Sequence, residues 1–208
     1  MVAKRGEPLR EHILYTAKDV FLEMGFERAS MDVISARAET SKRTLYSHFE
    51  NKEKLYLAVV DFVRFLVLRR LKHPADYGDD ASAALVQFCG RFLETLLYAP
   101  TIRMCRVSIA EVERFPEGAA QFFDVIFCEA QSRLSDYLRE EFGLTAAVSL
   151  QTARELLGRI TYPCYLRALF GLDELRAHLE DASDPTFDLA PVRRAVAQLI
   201  ASLNKNEL

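Results

Sequence analysis

The chain has 208 residues, half of them apolar and 27% charged, with only 8 Gly and 7 Pro. This is the composition of a folded globular protein, and it excludes collagen, a low-complexity fibre and extended disorder. Lys and Arg number 27 against 30 Asp and Glu, a formal charge of −3, which excludes a uniformly basic coat for nucleic acid.

The charge is unevenly placed. Residues 1–73 hold 14 basic and 10 acidic side chains, net +4, whereas residues 74–208 hold 13 and 20, net −7. A basic front on an acidic body points to an anionic partner for the front alone.

Helical periodicity runs through the chain and no alternating strand pattern interrupts it, so the expected fold is all-α with about nine helices. Leu9, Ile13, Ala17, Val20, Phe21 and Met24 recur at three- and four-residue steps. They predict a first helix with one buried stripe, begun near Pro8 and capped by Gly25. Ser30 suits the N-cap of a short second helix with Val33, Ile34 and Ala38 inward. After a polar break at Glu39-Thr40, Ser41 caps a short third helix ending near Phe49. Asn51 caps a long fourth, with Leu55, Val59, Phe62 and Leu66 on its stripe, stopping around His73-Pro74.

Residues 73–80, with Pro74, Gly78 and three acids, read as a connector, which divides the chain into a domain at 1–73 and another at 74–208. Beyond it, helices are predicted at 81–98, 101–114, 117–142, 147–170 and 190–204. Breaks fall at Pro100, Pro116, Gly143 and Gly171, and an Asp/Ser/Pro-rich loop covers 180–188. Pro163 lies inside one predicted helix, where a kink is expected.

The first eight residues lack the apolar core of a signal peptide. The greasiest stretch, Phe62 to Leu71, carries Arg64, Arg69 and Arg70 and is too short and too charged to span a bilayer. Cys89, Cys105, Cys128 and Cys164 lie far apart with no metal-ligand spacing. A soluble, cytoplasmic protein with reduced thiols follows as the expectation.

Two short helices framed by longer ones form the plan of a helix-turn-helix. Helix N-termini favour acidic residues, yet the third helix opens Ser41-Lys42-Arg43-Thr44 and the fourth Asn51-Lys52-Glu53-Lys54. Cations there make sense when a phosphate completes the arrangement.

The run Gly25-Phe26, Ser30-Met31-Asp32-Val33-Ile34-Ser35-Ala36-Arg37-Ala38 and Ser41 through Leu55 closely resembles the DNA-binding domain of TetR-family transcriptional regulators. The resemblance covers about residues 9–60. It implies a repressor that binds palindromic double-stranded operator DNA as a homodimer and leaves it on binding a small molecule. Carried over position by position, it implies phosphate-contacting caps at Ser30 and Ser41 and base or phosphate contacts from Lys42, Arg43 and Thr44. Tyr46, Ser47 and His48 would meet backbone or bases, and Lys52 a phosphate. Arg43 is the expected base reader, because its fork matches guanine O6 and N7. Leu45, Phe49 and Leu55 are expected in the core. Where many members have Gly-Val in the turn, this chain has Glu39-Thr40, although glycine would relieve a positive φ there.

The segment Arg103 to Glu117 looks like the ligand-binding region of an AefR-like subgroup of the same family. Phe88, Phe92, Phe123, Phe127 and Tyr165 are candidate apolar walls of an effector site, with Arg106, Ser108, Glu111 and Tyr162, together with Cys105 and Cys164, as candidate polar anchors. Taken singly, each aromatic is more readily explained by packing. Leu156, Leu157, Ile160, Cys164 and Leu166 to Phe170, with Val192, Val196, Leu199, Ile200 and Leu203, are apolar enough to pair two copies through a four-helix bundle. The fourth helix is long enough to link the front to the body.

No metal-ligand pair, cofactor loop or positioned acid–base set stands out, so no catalytic residue, metal or cofactor is expected. An adaptor that has lost DNA binding and a cysteine redox sensor remain as alternatives.

Overall fold

The computed structural model describes residues 7–179 and 188–203. The helices are α1 (Glu7–Arg28), α2 (Met31–Arg37), α3 (Lys42–His48) and α4 (Lys52–Arg70). After a 3-10 turn at Pro74–Tyr77 come α5 (Ala81–Leu97), α6 (Ala99–Ala110) and α7 (Pro116–Phe123). A π turn at Asp124–Cys128 leads into α8 (Glu129–Phe142), followed by α9 (Ala146–Thr161), α10 (Cys164–Leu169) and α11 (Ala190–Leu203). With the unbroken run from Pro116 to Phe142 taken as one, the described residues hold ten helices, nine of them of seven residues or more. The fold is all-α. Its only sheet-like feature among the described residues is an isolated bridge between Tyr98 and Arg176.

The tenth helix comes from Pro163. A kink was expected there, but α9 ends at Thr161 and α10 begins at Cys164. Proline disfavours the helical region for the residue before it. Tyr162 accordingly sits at φ −86°, ψ 133°, which ends the helix instead of bending it. Pro100, expected as a break, lies in the first turn of α6, where its missing N–H removes nothing. The loop expected at 180–188 falls, except for its last residue, outside the described residues.

Two compact units emerge. The head combines the described part of Met1–Leu66 with Arg103–Phe122; the body combines Val67–Ile102 with the described part of Phe123–Leu208. A segment from the middle of the chain, Arg103–Phe122, thus packs within the head.

The head is built from the predicted stripes. Ile13, Leu14, Ala17, Val20 and Phe21 of α1 are buried with Met31 and Ile34 of α2, Leu45 of α3 and Leu55, Tyr56 and Val59 of α4. Leu9, placed on the same stripe by its spacing, is exposed in the first turn. Gly25 takes φ 74°, and this left-handed residue interrupts α1 where the sequence required a cap.

Each short helix is capped as its sequence dictates. Ser30 Oγ accepts from Val33 N at 3.2 Å, Ser41 Oγ from Thr44 N at 3.0 Å, and Asn51 Oδ1 from Lys54 N at 2.8 Å. The end of α2 is a Schellman motif, in which Glu39 N donates to Ala36 O at 3.2 Å and Thr40 N to Ser35 O at 3.0 Å. That motif needs a left-handed residue, and Glu39 supplies it at φ 49°. The turn therefore forms without its glycine.

In the body, α5 is the central element: every residue from Phe88 to Leu96 is buried. A helix covered on all sides is normally apolar throughout, yet this one carries Arg91 and Glu94, paired at 2.6 Å. The connector folds as a 3-10 turn closed by a capping box of His73 and Asp76.

Part of the stripe assigned to a partner copy is used inside the protomer. Leu156, Leu157 and Ile160 of α9 and Val192 and Val196 of α11 are all buried. The cleft between these helices, about 160 Å³, is lined mainly by polar groups, among them Glu155, Arg159, Gln198 and Ser202.

Candidate nucleic-acid interface

Helix α3 has one anchored side and one open side. Leu45 is fully buried and Phe49, at its C-terminal end, nearly so; burial of such side chains contributes about 1.5–3 kcal/mol each and fixes the helix on the head. Lys42, Arg43, Tyr46 and Ser47 are exposed, and Thr44 and His48 are half-buried. Residues 43, 46 and 47 stand three and four apart and share a face.

The polar groups around this face are partly engaged. Ser41 Oγ and Thr44 Oγ1 lie 2.8 Å apart, and Ser47 Oγ donates to Thr44 O at 2.7 Å. Lys42 Nζ lies 2.7 Å from Asp32 Oδ1, with both side chains well exposed. Such a solvated pair is worth about 0–1 kcal/mol and exchanges readily for a stronger anion. Arg43 has no hydrogen bond or ion pair among the described residues. Ser30 is half-buried at its cap. The His48 ring sits 6.3 Å from that of Phe49, which also lies under the Arg10 guanidinium at 5.1 Å. No acid stands in the first turn of α3, so the cations at its start are uncompensated within the helix.

Lys52 is placed differently from the other candidates. Its ammonium donates to the carbonyls of Phe26 at 3.0 Å, Ala29 at 3.1 Å and Glu27 at 3.4 Å, and lies 4.2 Å from the centre of the Phe26 ring. All three of its N–H donors serve the carbonyls left unpaired where Gly25 interrupts α1. Lys52→Met is expected to destabilise the protein by about 1–2 kcal/mol, since hydrogen bonds to a charged group disappear. In the same variant the slope of log affinity against log salt should stay unchanged. A slope flatter by about 1, in a variant of unaltered stability, would return Lys52 to the phosphate role.

The candidate effector residues divide between the units. In the body, the Phe127 ring touches those of Phe123 (5.0 Å), Tyr165 (5.7 Å) and Phe92 (6.5 Å), and Phe88 is fully buried. Phe123 is 55% and Tyr162 70% exposed, so neither is an enclosed wall within the body. In the head, Ser108 is buried beside the Tyr56 phenol, and Glu111 is near; Ser108 Oγ closes no well-formed hydrogen bond there. Burial pushes the Tyr56 phenol up; the Ser108 hydroxyl opposes this and the Glu111 carboxylate adds to it. Cys105 is buried and Arg106 half-buried in the same segment.

Three features escaped the sequence reading: the carbonyl cap made by Lys52, the buried Arg91–Glu94 pair, and a contact between Arg114 and the two ends of the helix-turn-helix frame. The second leaves a trace in the sequence, a charged pair three residues apart in an otherwise apolar helix. The others join residues distant in sequence and leave none.

Cys89, Cys128 and Cys164 are poorly suited to redox sensing, which needs a lowered pKa. Burial pushes Cys89 up to about 12. Desolvation and then Asp124 push Cys128 up, and desolvation raises Cys164. Among the described residues no cluster of His, Cys, Asp and Glu could hold a metal, and no helix is long and apolar enough to cross a membrane.

Comparison with known proteins agrees with this geometry. Residues 13–59 match the pattern of bacterial regulatory proteins of the tetR family, and residues 83–183 that of the AefR-like transcriptional repressor C-terminal domain. The transcriptional activator FasR of Mycolicibacterium smegmatis is 47% identical over 51 residues, 24% of this chain and 23% of FasR. The transcriptional regulator UidR of Escherichia coli K12 is 37% identical over 71 residues, 34% of this chain and 36% of UidR. The chain thus matches about a third or less of these relatives' length. A TetR-family transcriptional regulator from Mesorhizobium loti superposes with a TM-score of 0.77 at 20% identity, covering 98% of both chains, and so shares the fold. With the two patterns covering both the helix-turn-helix and most of the body, the chain belongs to the TetR family of DNA-binding transcriptional regulators, a non-enzymatic family, and carries an AefR-like C-terminal domain.

Proposed function

We infer that this regulator is a cytoplasmic repressor that holds a palindromic operator as a homodimer and releases it when a small, largely apolar effector binds. One observation carries the reading: Lys42, Arg43, Tyr46 and Ser47 form an exposed face on a helix anchored by buried Leu45 and Phe49. In this reading residues 1–73 supply the DNA-binding domain and 74–208 the effector and pairing functions. Arg43 reads a base edge; Ser30, Ser41, Lys42, Thr44, Tyr46, Ser47 and His48 meet phosphates or neighbouring bases. Lys52 holds the end of α1 in place beneath them.

Two such heads on a two-fold axis need their recognition helices about 34–36 Å apart to reach successive major grooves. The outward polar faces of α9 and α11, with half-buried Leu199, Ile200 and Leu203, are the surface we assign to pairing. The effector wall is assigned to the body's Phe88, Phe92, Phe127 and Tyr165.

The test begins with the purified dimer and fragments flanking its own gene, titrated at several salt concentrations. Tight, salt-dependent binding to a palindrome is expected; a folded dimer that binds no fragment would leave an adaptor instead. Once an effector is found by release of that fragment, calorimetry with and without saturating operator completes the test. Linkage requires operator to weaken effector binding by the factor by which effector weakens operator binding. Equal affinities in the two titrations would sink the effector model.

A further inference from the structure

We propose that Arg114, which lies in the AefR-like half of the sequence, is a positioning residue for operator binding: it clamps the end of α1 to the start of α4 and so sets the frame that carries α3. The proposal rests on the family's DNA binding and adds to it a residue from outside the helix-turn-helix sequence.

The frame has two ends. The chain passes from α1 into α2 through Ala29 and Ser30, and from α3 into α4 through Phe49, Glu50 and Asn51. The pose of α3 therefore depends on how the last turn of α1 stands against the first turn of α4. Arg114, in the turn after α6, spans these two places. One guanidinium nitrogen donates to Glu27 at the end of α1, and the other to Glu53 Oε1, in the first turn of α4, at 3.1 Å. A guanidinium can hold two carboxylates in this way because its donors lie in a rigid planar fork.

The clamp is seated on aromatic rings. The Arg114 guanidinium carbon lies 4.7 Å from the centre of the Phe26 ring and 5.5 Å from that of Phe115. Phe26 packs on Phe115 at 4.8 Å and on Tyr56 at 5.3 Å, and Tyr56 on Phe115 at 5.1 Å. Lys52, from the first turn of α4, lies over the same Phe26 ring while its ammonium holds the carbonyls at the end of α1. Two cations thus fasten one junction, one from α4 itself and one from residue 114.

Exposure decides what the clamp does. The Arg114 side chain is 44% exposed, and its partners Glu27 and Glu53 are also open to solvent, at 71% and 41%. Solvated pairs of this kind add little to global stability. Their geometric effect can still be large, because base contacts tolerate only small displacements of the recognition helix.

The experiment measures affinity for the operator and for random-sequence DNA of equal length, across a salt series, using full-length wild-type protein, Arg114→Ala and Arg114→Lys. For Arg114→Ala we expect at least a tenfold loss on the operator, with random DNA bound within twofold of wild type and with unchanged salt slope. Arg114→Lys keeps the charge but reaches only one carboxylate, and should fall between the two. Glu53→Gln, which leaves the contact to Glu27 and the ring stacking, is the second test should Arg114→Ala fail to fold; it should lose about threefold on the operator alone. Operator affinity within twofold of wild type in folded variants would overturn the proposal. An equal loss on both DNAs with a flatter slope would overturn it too, making Arg114 a phosphate contact. Wild-type binding to the same fragment separates failure of this inference from failure of DNA binding.

Discussion

Glu94→Ala is expected to remove about 3–5 kcal/mol of folding free energy, a large share of the total for a domain of this size. The Glu94 side chain is 2% and that of Arg91 7% exposed, and their contact is 2.6 Å. Arg176 approaches the other carboxylate oxygen at 3.8 Å, beside the backbone bond from Ala99 N to Arg176 O at 2.9 Å. Truncating the acid leaves a guanidinium in a low-dielectric interior without the carboxylate that offset its desolvation. Replacing the whole pair is a different matter. An Arg91→Met, Glu94→Leu double variant should lie near wild type or above it, because apolar side chains of similar volume avoid the desolvation penalty altogether. Urea melts of wild type and the two variants settle the point. A loss below about 1 kcal/mol in Glu94→Ala would mean that the pair is solvated.

The second large effect falls on recognition. Arg43→Ala should cost about 1–3 kcal/mol for each base pair that the guanidinium reads, felt twice in a two-fold complex, and should relax preference at one position of each half-site. Stability should hardly change, since the side chain is exposed and forms no hydrogen bond or ion pair among the described residues. Operator selection with wild-type and variant dimers reads out both quantities. A uniform loss on every sequence would make Arg43 a clamp on phosphate.

The head was largely legible because its information is local. Ser30, Ser41 and Asn51 announce helix starts by chemistry that acts within three residues, and Gly25 announces a stop in the same way. The inward position of Leu55 follows from helical spacing, and that of Leu45 from the family resemblance. Glu39 marks the limit of that reading: glycine was the residue the turn asked for, yet the Schellman hydrogen bonds hold a glutamate at positive φ.

The body was legible as helices and breaks but not as a site. Apolar residues on α9 and α11 have the same pattern whether they face a neighbour in the protomer or a second copy, and Leu156, Val192 and Val196 face inward. Pro163 ends a helix because of its effect on Tyr162, and composition alone could not distinguish that from a bend. Charges inside α5 read from sequence as surface until the burial of Phe88 to Leu96 is known.

The discontinuity of the head bears on how it is made. Arg114 and Phe115 meet Glu27, Phe26 and Tyr56 across more than fifty residues of chain. At a synthesis rate of about 5–20 residues per second, the stretch between Leu66 and Phe122 takes roughly 3–10 s to emerge. Throughout that interval the nascent head has its helix-turn-helix but not its last aromatic wall, and Phe26 and Tyr56 lack the cover of Phe115. The protein thus completes its head only after the first helices of its AefR-like half have left the ribosome.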